Sequence, residues 1–162
     1  MDEAVRYMVR VEGGEAFLGV VGRASYLNCK CVGDFFDILI AGGCGRLRVD
    51  FSACAGMDST FMGMLAKVAL AFGERGAKVE LLNLKGRLLE LVENLGLDAI
   101  AEISEGGDFG FSDADGGLAP SAVSKPEMLS AHESLANFNG ENAEKFKDVI
   151  AFLKERSDKE NL

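Results

Sequence analysis

Three small polar residues, Asp58, Ser59 and Thr60, stand directly before the apolar run from Phe61 to Phe72. At a helix start such residues have three chemical uses. The first is local: a side-chain oxygen accepts from an unpaired backbone N–H, and Asp58 or Ser59 is a natural N-cap. The second is a chemical switch built on that cap, where backbone N–H groups and the positive end of the helix dipole tolerate negative charge. The third use is nucleophilic catalysis. The single His132 lies far along the chain and Asp58 has no evident partner acid. A Ser/His/Asp assembly therefore has little support, and no catalytic residue is expected.

Other chemistries lack their motifs. Cys29, Cys31, Cys44 and Cys54 form one C-x-C pair and two single thiols. Zinc sites show paired C-x-x-C or Cys/His spacing, so these read as reduced structural or incidental thiols. Met57, Met62 and Met64 read as core and interface rather than a metal site. No G-x-x-x-x-G-K-[S/T] loop supports nucleotide hydrolysis. Neither a metal nor a cofactor is expected.

The 17 basic and 26 acidic residues leave a net charge of −9. Neutralising phosphates takes clustered Lys and Arg, so nucleic acid is not an expected partner. The same balance argues against an anionic membrane surface. No apolar run is long enough to span a bilayer. The opening "MDEAVRYMVRVEGGE" has acids at once and no signal-peptide core. A cytoplasmic location is expected.

The elements that must position Ser59 follow from periodicity. "YMVRV" and "AFLGVVGRA" alternate on either side of Gly13-Gly14 and read as a β-hairpin. Val32, Phe35, Phe36, Leu39 and Ile40 have helical spacing, with Asn28 as the cap and Gly42-Gly43 as the stop. "RLRVDFS" alternates and reads as a strand leading into the polar triplet. Phe61, Met64, Leu65, Val68 and Phe72 form the stripe of an amphipathic helix that Gly73 and Gly76 end. A strand over Ala77 to Leu84, a helix in "KGRLLELVENLGL" and a last strand over Asp98 to Ile103 complete a β-β-α-β-α-β-α-β order. Such alternation implies mostly parallel pairing with crossover helices.

Residues 104–122, "SEGGDFGFSDADGGLAPSA", read as an acidic Gly-rich linker in which Phe109 and Phe111 are tethers or merely part of a mobile loop. Two helical patterns follow, separated by Asn139-Gly140, and read as an αα-hairpin from Pro126 to Arg156. The expected organisation is one domain over 1–103, the linker over 104–122 and the hairpin over 123–162. The hairpin's two apolar stripes need a third body. It should pack on the main domain of its own chain or, in a homodimer, of a second copy. It should avoid the Ser59 surface or gate it.

"RLRVDFSACAGMDSTFMGML" resembles the signature of STAS domains, the fold of bacterial anti-sigma factor antagonists. Asp50, Phe51 and Ser52 match the family's strand end. Met57, Asp58, Ser59, Thr60 and Phe61 match its helix-opening box. The resemblance covers roughly residues 5–103 and implies an α/β STAS fold, a mixed, mostly parallel sheet with helices packed on it. In antagonists of this family the serine of the box is phosphorylated by the anti-sigma factor, itself a serine kinase. By position that is Ser59, with Thr60 as the alternative hydroxyl. Phosphate adds about −1.5 to −2 charges, which must be desolvated in an interface, and Asp58 next door makes it worse. The unphosphorylated domain binds the kinase and frees a sigma factor; the phosphorylated domain lets go; a PP2C-type phosphatase resets it. The contact surface implied is Asp58, Ser59, Thr60, Asn28 and Met62. Other members keep the box as non-phosphorylated scaffold subunits of sensor or lipid-transport complexes. A small Ser-dependent hydrolase is the rival from another class.

Overall fold

The computed structural model describes residues 4–107, 111 and 115–160. Strand β1 (Arg6–Glu12) and strand β2 (Glu15–Ala24) pair antiparallel through a turn in which Gly13 and Gly14 take φ of 57° and 80°. A side chain is disfavoured at those angles, so the glycines set the reversal. Beyond β2 the sheet turns parallel: β3 (Arg46–Met57), β4 (Lys78–Leu82) and β5 (Glu102–Ser104) follow in spatial order. A sixth strand, β6 (Gly116–Leu118), pairs antiparallel with the other edge of β1. The sheet order is β5-β4-β3-β2-β1-β6, so the sheet is mixed and mostly parallel, as the sequence implied.

The alternation in β2 and β3 sends Leu18, Val20, Leu47, Val49 and Phe51 into one buried cluster. Helix α1 (Lys30–Ala41) adds Val32, Phe35, Phe36 and Leu39 to it; helix α2 (Ser59–Glu74) adds Phe61, Leu65, Val68 and Phe72. Phe51 and Phe61 meet edge to face with centroids 6.4 Å apart. On the alternate positions Glu80, only 7% exposed, bridges Arg46 at 2.5 Å and Arg48 at 3.0 Å. A carboxylate so buried needs such partners.

Several boundaries differ from the sequence reading. Strand β3 runs on past Ser52, the end of the strand read from the sequence, to Met57, because β2 runs beside it with register shifts near Gly19 and Gly22. The segment read as a strand over Asp98 to Ile103 opens as a 3₁₀ turn at Leu97–Ala99, and β5 forms only at its end. Asn28 does not cap α1; the N-cap position is Cys29, without a side-chain bond. Asn28 is spent elsewhere, as described below. Helix α3 (Arg87–Asn94) stands where expected, with Gly96 at φ 76° after it.

The stretch read as a linker carries β6 and is tied down. Asp115 pairs with Arg10 at 2.9 Å, and Phe111 lies 5.2 Å from the Arg10 guanidinium. Gly19 leaves the room: a Cβ there would sit 3.0 Å from the Phe111 ring. Phe109 lies outside the described residues. The two-helix hairpin is in fact three helices, α4 (Lys125–Phe138), α5 (Gly140–Lys145) and α6 (Lys147–Glu160). Asn139 causes the extra element, since its Oδ1 accepts from the N–H groups of Glu141 and Asn142 and starts α5 at once.

These helices return to their own domain. Leu135 and Leu153 are 0% and 5% exposed. Asn142, fully buried, donates from Nδ2 to the carbonyls of Leu95 at 2.8 Å and Leu135 at 3.1 Å. Helix α4 lies along α2 so closely that a Cβ at Gly63 would stand 2.2 Å from the Ala131 carbonyl oxygen. Glycine inside a helix is disfavoured by about 1 kcal/mol against alanine. The approach of α4 is the physical reason for glycine at position 63.

Candidate functional site

Strand β3 ends at Met57 and α2 begins at Ser59, so the polar triplet sits where a long central strand meets the first turn of a helix. Asp58 is the N-cap. Its Oδ1 accepts from the Phe61 N–H at 3.0 Å and its carbonyl accepts from the Met62 N–H at 3.1 Å. Its other oxygen, Oδ2, accepts from the Tyr26 N–H at 2.9 Å, and its own N–H donates to the Ala24 carbonyl at 3.2 Å. Asp58 thereby joins the helix start to the loop leaving β2.

Asn28 fastens the same loop. Its Oδ1 accepts from the Tyr7 hydroxyl at 2.5 Å and the Ser25 N–H at 3.0 Å, and its Nδ2 donates to the Arg23 carbonyl at 2.9 Å. Burial pushes the Tyr7 hydroxyl far above its usual range, and the nearby thiols of Cys29, Cys31 and Cys54 and Asp58 act in the same direction. The fixed loop presents Tyr26 and Leu27, 45% and 64% exposed.

Asp58 leaves Ser59 free of capping work. Its hydroxyl meets His132 Nε2 at 3.0 Å. The other ring nitrogen, Nδ1, lies 2.8 Å from the Met128 carbonyl oxygen and must donate to it. In the neutral ring Nε2 is then the acceptor, and the Ser59 hydroxyl donates. His132 is 4% exposed and stacks edge to face on Phe146, centroids 5.4 Å apart. The expectation that His132 stays apart in an appendage is corrected: α4 carries it to Ser59. Sequence spacing hid this because the contact spans 73 residues. The cue available was a single histidine within an apolar stripe.

Of the five residues expected to form a contact surface, Asp58, Ser59 and Asn28 are half-buried at the surface. Thr60 and Met62 are buried, at 3% and 4% exposure, so neither is a surface group in this arrangement. A cleft opens beside Ser59, floored by Met57, Met62, Leu91 and Leu95 and edged by Asn94, Lys145 and Phe146. Lys145 reaches this cleft only because α5 ends there, an element that periodicity does not reveal.

The Ser59–His132 pair has the nucleophile-to-base half of a catalytic triad. A backbone carbonyl, not a carboxylate, orients the imidazole. The Phe61 and Met62 N–H groups, which would serve as oxyanion donors at this helix start, are spent on Asp58. Among the described residues no group of three His, Cys, Asp or Glu side chains could hold a metal ion. No helix among them is long and apolar enough to cross a membrane.

The family model described as "Mlab, STAS domain" matches residues 7–103, and the chain belongs to the STAS family. Solved structures share its fold. The anti-sigma factor antagonist SpoIIAA in its unphosphorylated form is 13% identical, with a TM-score of 0.54 over 62% of this chain and 89% of that one. The Bacillus cell fate determinant SpoIIAA in the phosphorylated form is 12% identical, with a TM-score of 0.55 over 63% and 92%. An anti-sigma factor antagonist from Mycobacterium paratuberculosis is 16% identical, with a TM-score of 0.55 over 62% and 86%. At such identities the likeness is one of fold. No curated protein sequence matches the chain. The matched span ends at Ser104's neighbour, residue 103, so α4–α6 and His132 lie beyond it.

Proposed function

We propose that this STAS protein is a non-enzymatic anti-sigma factor antagonist. It binds an anti-sigma factor serine kinase through the Ser59 box, is released on phosphorylation of Ser59, and is reset by a PP2C-type phosphatase. The observation that carries the reading is the division of labour between Asp58 and Ser59. Asp58 does all the capping, so the Ser59 hydroxyl can be modified without unmaking the helix. Its place at the positive end of α2 accommodates the added charge. Solved structures of similar fold exist for an antagonist in both unphosphorylated and phosphorylated forms, which agrees with such a cycle.

Intact mass of the protein isolated from its own cells tests this. A fraction should carry one phosphate, absent from Ser59→Ala. Phosphate retained in Ser59→Ala, or none in the wild type under any growth condition, overturns the proposal. A second reading, a scaffold subunit whose box only binds, is favoured by one observation: Ser59 is already engaged by His132. The Ser59→Ala variant separates the two, because a scaffold needs no phosphate turnover.

A further inference from the structure

The structure assigns a second role to α2. We infer that its face centred on Gly63 is a helix-docking surface, occupied in cis by α4, and that a partner reaches the Ser59 box by replacing α4 with an amphipathic helix of its own. The inference concerns the partner of the proposed site and so rests on that reading.

Three features define the occupant. Gly63 lets a backbone approach to a distance that any side chain would forbid, and the atoms seated there are the Ala131 carbonyl and Cβ. The visiting element must therefore be a helix with a small residue at the contact. One residue later His132 supplies a buried acceptor for the Ser59 hydroxyl. One turn further, Leu135 fills the apolar contact at 0% exposure. Ala131 and Leu135 are spaced i, i+4 and His132 and Leu135 i, i+3, so both small and polar groups neighbour the apolar one, the spacing of helix-in-groove recognition. The same placement covers the box. Ser59 is half-buried beneath α4, so a kinase or partner that docks on it competes with this chain's own helix. A complete capping box at Ser124 and Glu127 closes the start of α4 with no help from α2, and the ties at its ends, Val123 to Tyr26 and Asn142 to Leu95, are also made outside α2.

The test uses the full chain carrying Leu135→Asp, which expels α4 by burying a charge while leaving α2 untouched. The probe is a fluorescently labelled peptide of residues 121–139. It should bind this variant at least about tenfold more tightly than the wild type, whose face is occupied. Adding Gly63→Ala should abolish that gain. Equal binding to wild type and variant, no binding to either, or indifference to Gly63→Ala overturns the inference. Should Leu135→Asp not fold, the full chain with Gly63→Ala alone decides, since alanine favours α2 itself. Its α4 amides should exchange at least about tenfold faster with β2 and β3 unchanged; unaltered protection of α4 overturns the inference. None of these readouts needs phosphate. Helix exchange without phosphate sinks only the proposed function, and phosphate without helix exchange sinks only this inference.

Discussion

Helices α2 and α4 both have a serine at their start, and the two serines do opposite things. At α4, Ser124 is the N-cap: its side chain accepts from the Glu127 N–H at 3.3 Å, and Glu127 returns the bond at 3.1 Å. Both bonds of that box close within four residues, and the other Glu127 oxygen pairs with Lys30 at 3.7 Å. At α2 the cap is Asp58, and Ser59 is the first helical residue, with its hydroxyl directed to another helix. A serine that closes its own helix end is structural. A serine relieved of that task by its neighbour is available for contact or modification.

The sharpest way to break the comparison is to remove the residue that relieves Ser59. Asp58→Ala loses the Phe61 bond of the cap and the Tyr26 bond of the loop. A cap is worth about 1 kcal/mol, up to about 2, and a hydrogen bond to a charged group about 1.5–3. The variant should unfold with a Tm lower by about 5–10 °C in a circular-dichroism melt. Asp58→Asn should recover most of this. A fall of under about 2 °C for Asp58→Ala would mean that Ser59 can take over the cap, and the distinction between the two helix starts collapses.

Next in size is the contact itself. Ser59→Ala leaves His132 Nε2 buried without a partner, which costs about 1–3 kcal/mol, whereas losing both partners is milder. In a double-mutant cycle with His132→Phe, urea denaturation should give a coupling of about 1 kcal/mol or more. Additive effects would mean that the 3.0 Å contact contributes nothing. Ser124→Ala should cost less, about 0.5–1 kcal/mol, confined to α4 in amide exchange and without effect on Ser59. Loss of protection across α2 in that variant would show that the α4 cap is not local.

The same contrast explains what the sequence made legible. Period-two alternation with Gly13-Gly14 gave the β1–β2 hairpin, and the i, i+3, i+4 stripe gave α2, because those signals are local. The box at Met57–Phe61 was legible by resemblance, and Asp58 as cap by chemistry. What escaped depended on distant partners. Strand β6 is three residues of Gly and Leu with no alternation to read, and it exists because the edge of β1 pairs with it. Asn28 looked like a cap because capping is common for Asn; the Tyr7 hydroxyl, 21 residues away, claimed its oxygen. His132 looked remote until Gly63 allowed α4 to close on α2.

The smallest expected effect separates the two helix starts by alkali. Cys29 is buried beside the α2 start, and burial first, then Asp58, pushes its thiol up to about 12. Cys54 and Tyr7 are raised as well, again chiefly by burial. The folded state thus holds protons that the unfolded chain releases above its ordinary thiol pKa of about 8.5–9. Where the unfolded state binds fewer protons, stability falls as pH rises. Stability should therefore be flat with respect to these groups below pH about 8.5 and decline progressively towards pH about 12. Cys29→Ala removes one such group, so its Tm should fall less steeply between pH about 9 and 11 than that of the wild type. The comparison uses slopes, because the lost sulfur leaves a small cavity that lowers Tm at every pH. Ser124 carries no ionisable side chain, so Ser124→Ala should keep the wild-type slope. Equal slopes for Cys29→Ala and wild type would remove the Cys29 thiol as a source of alkaline sensitivity.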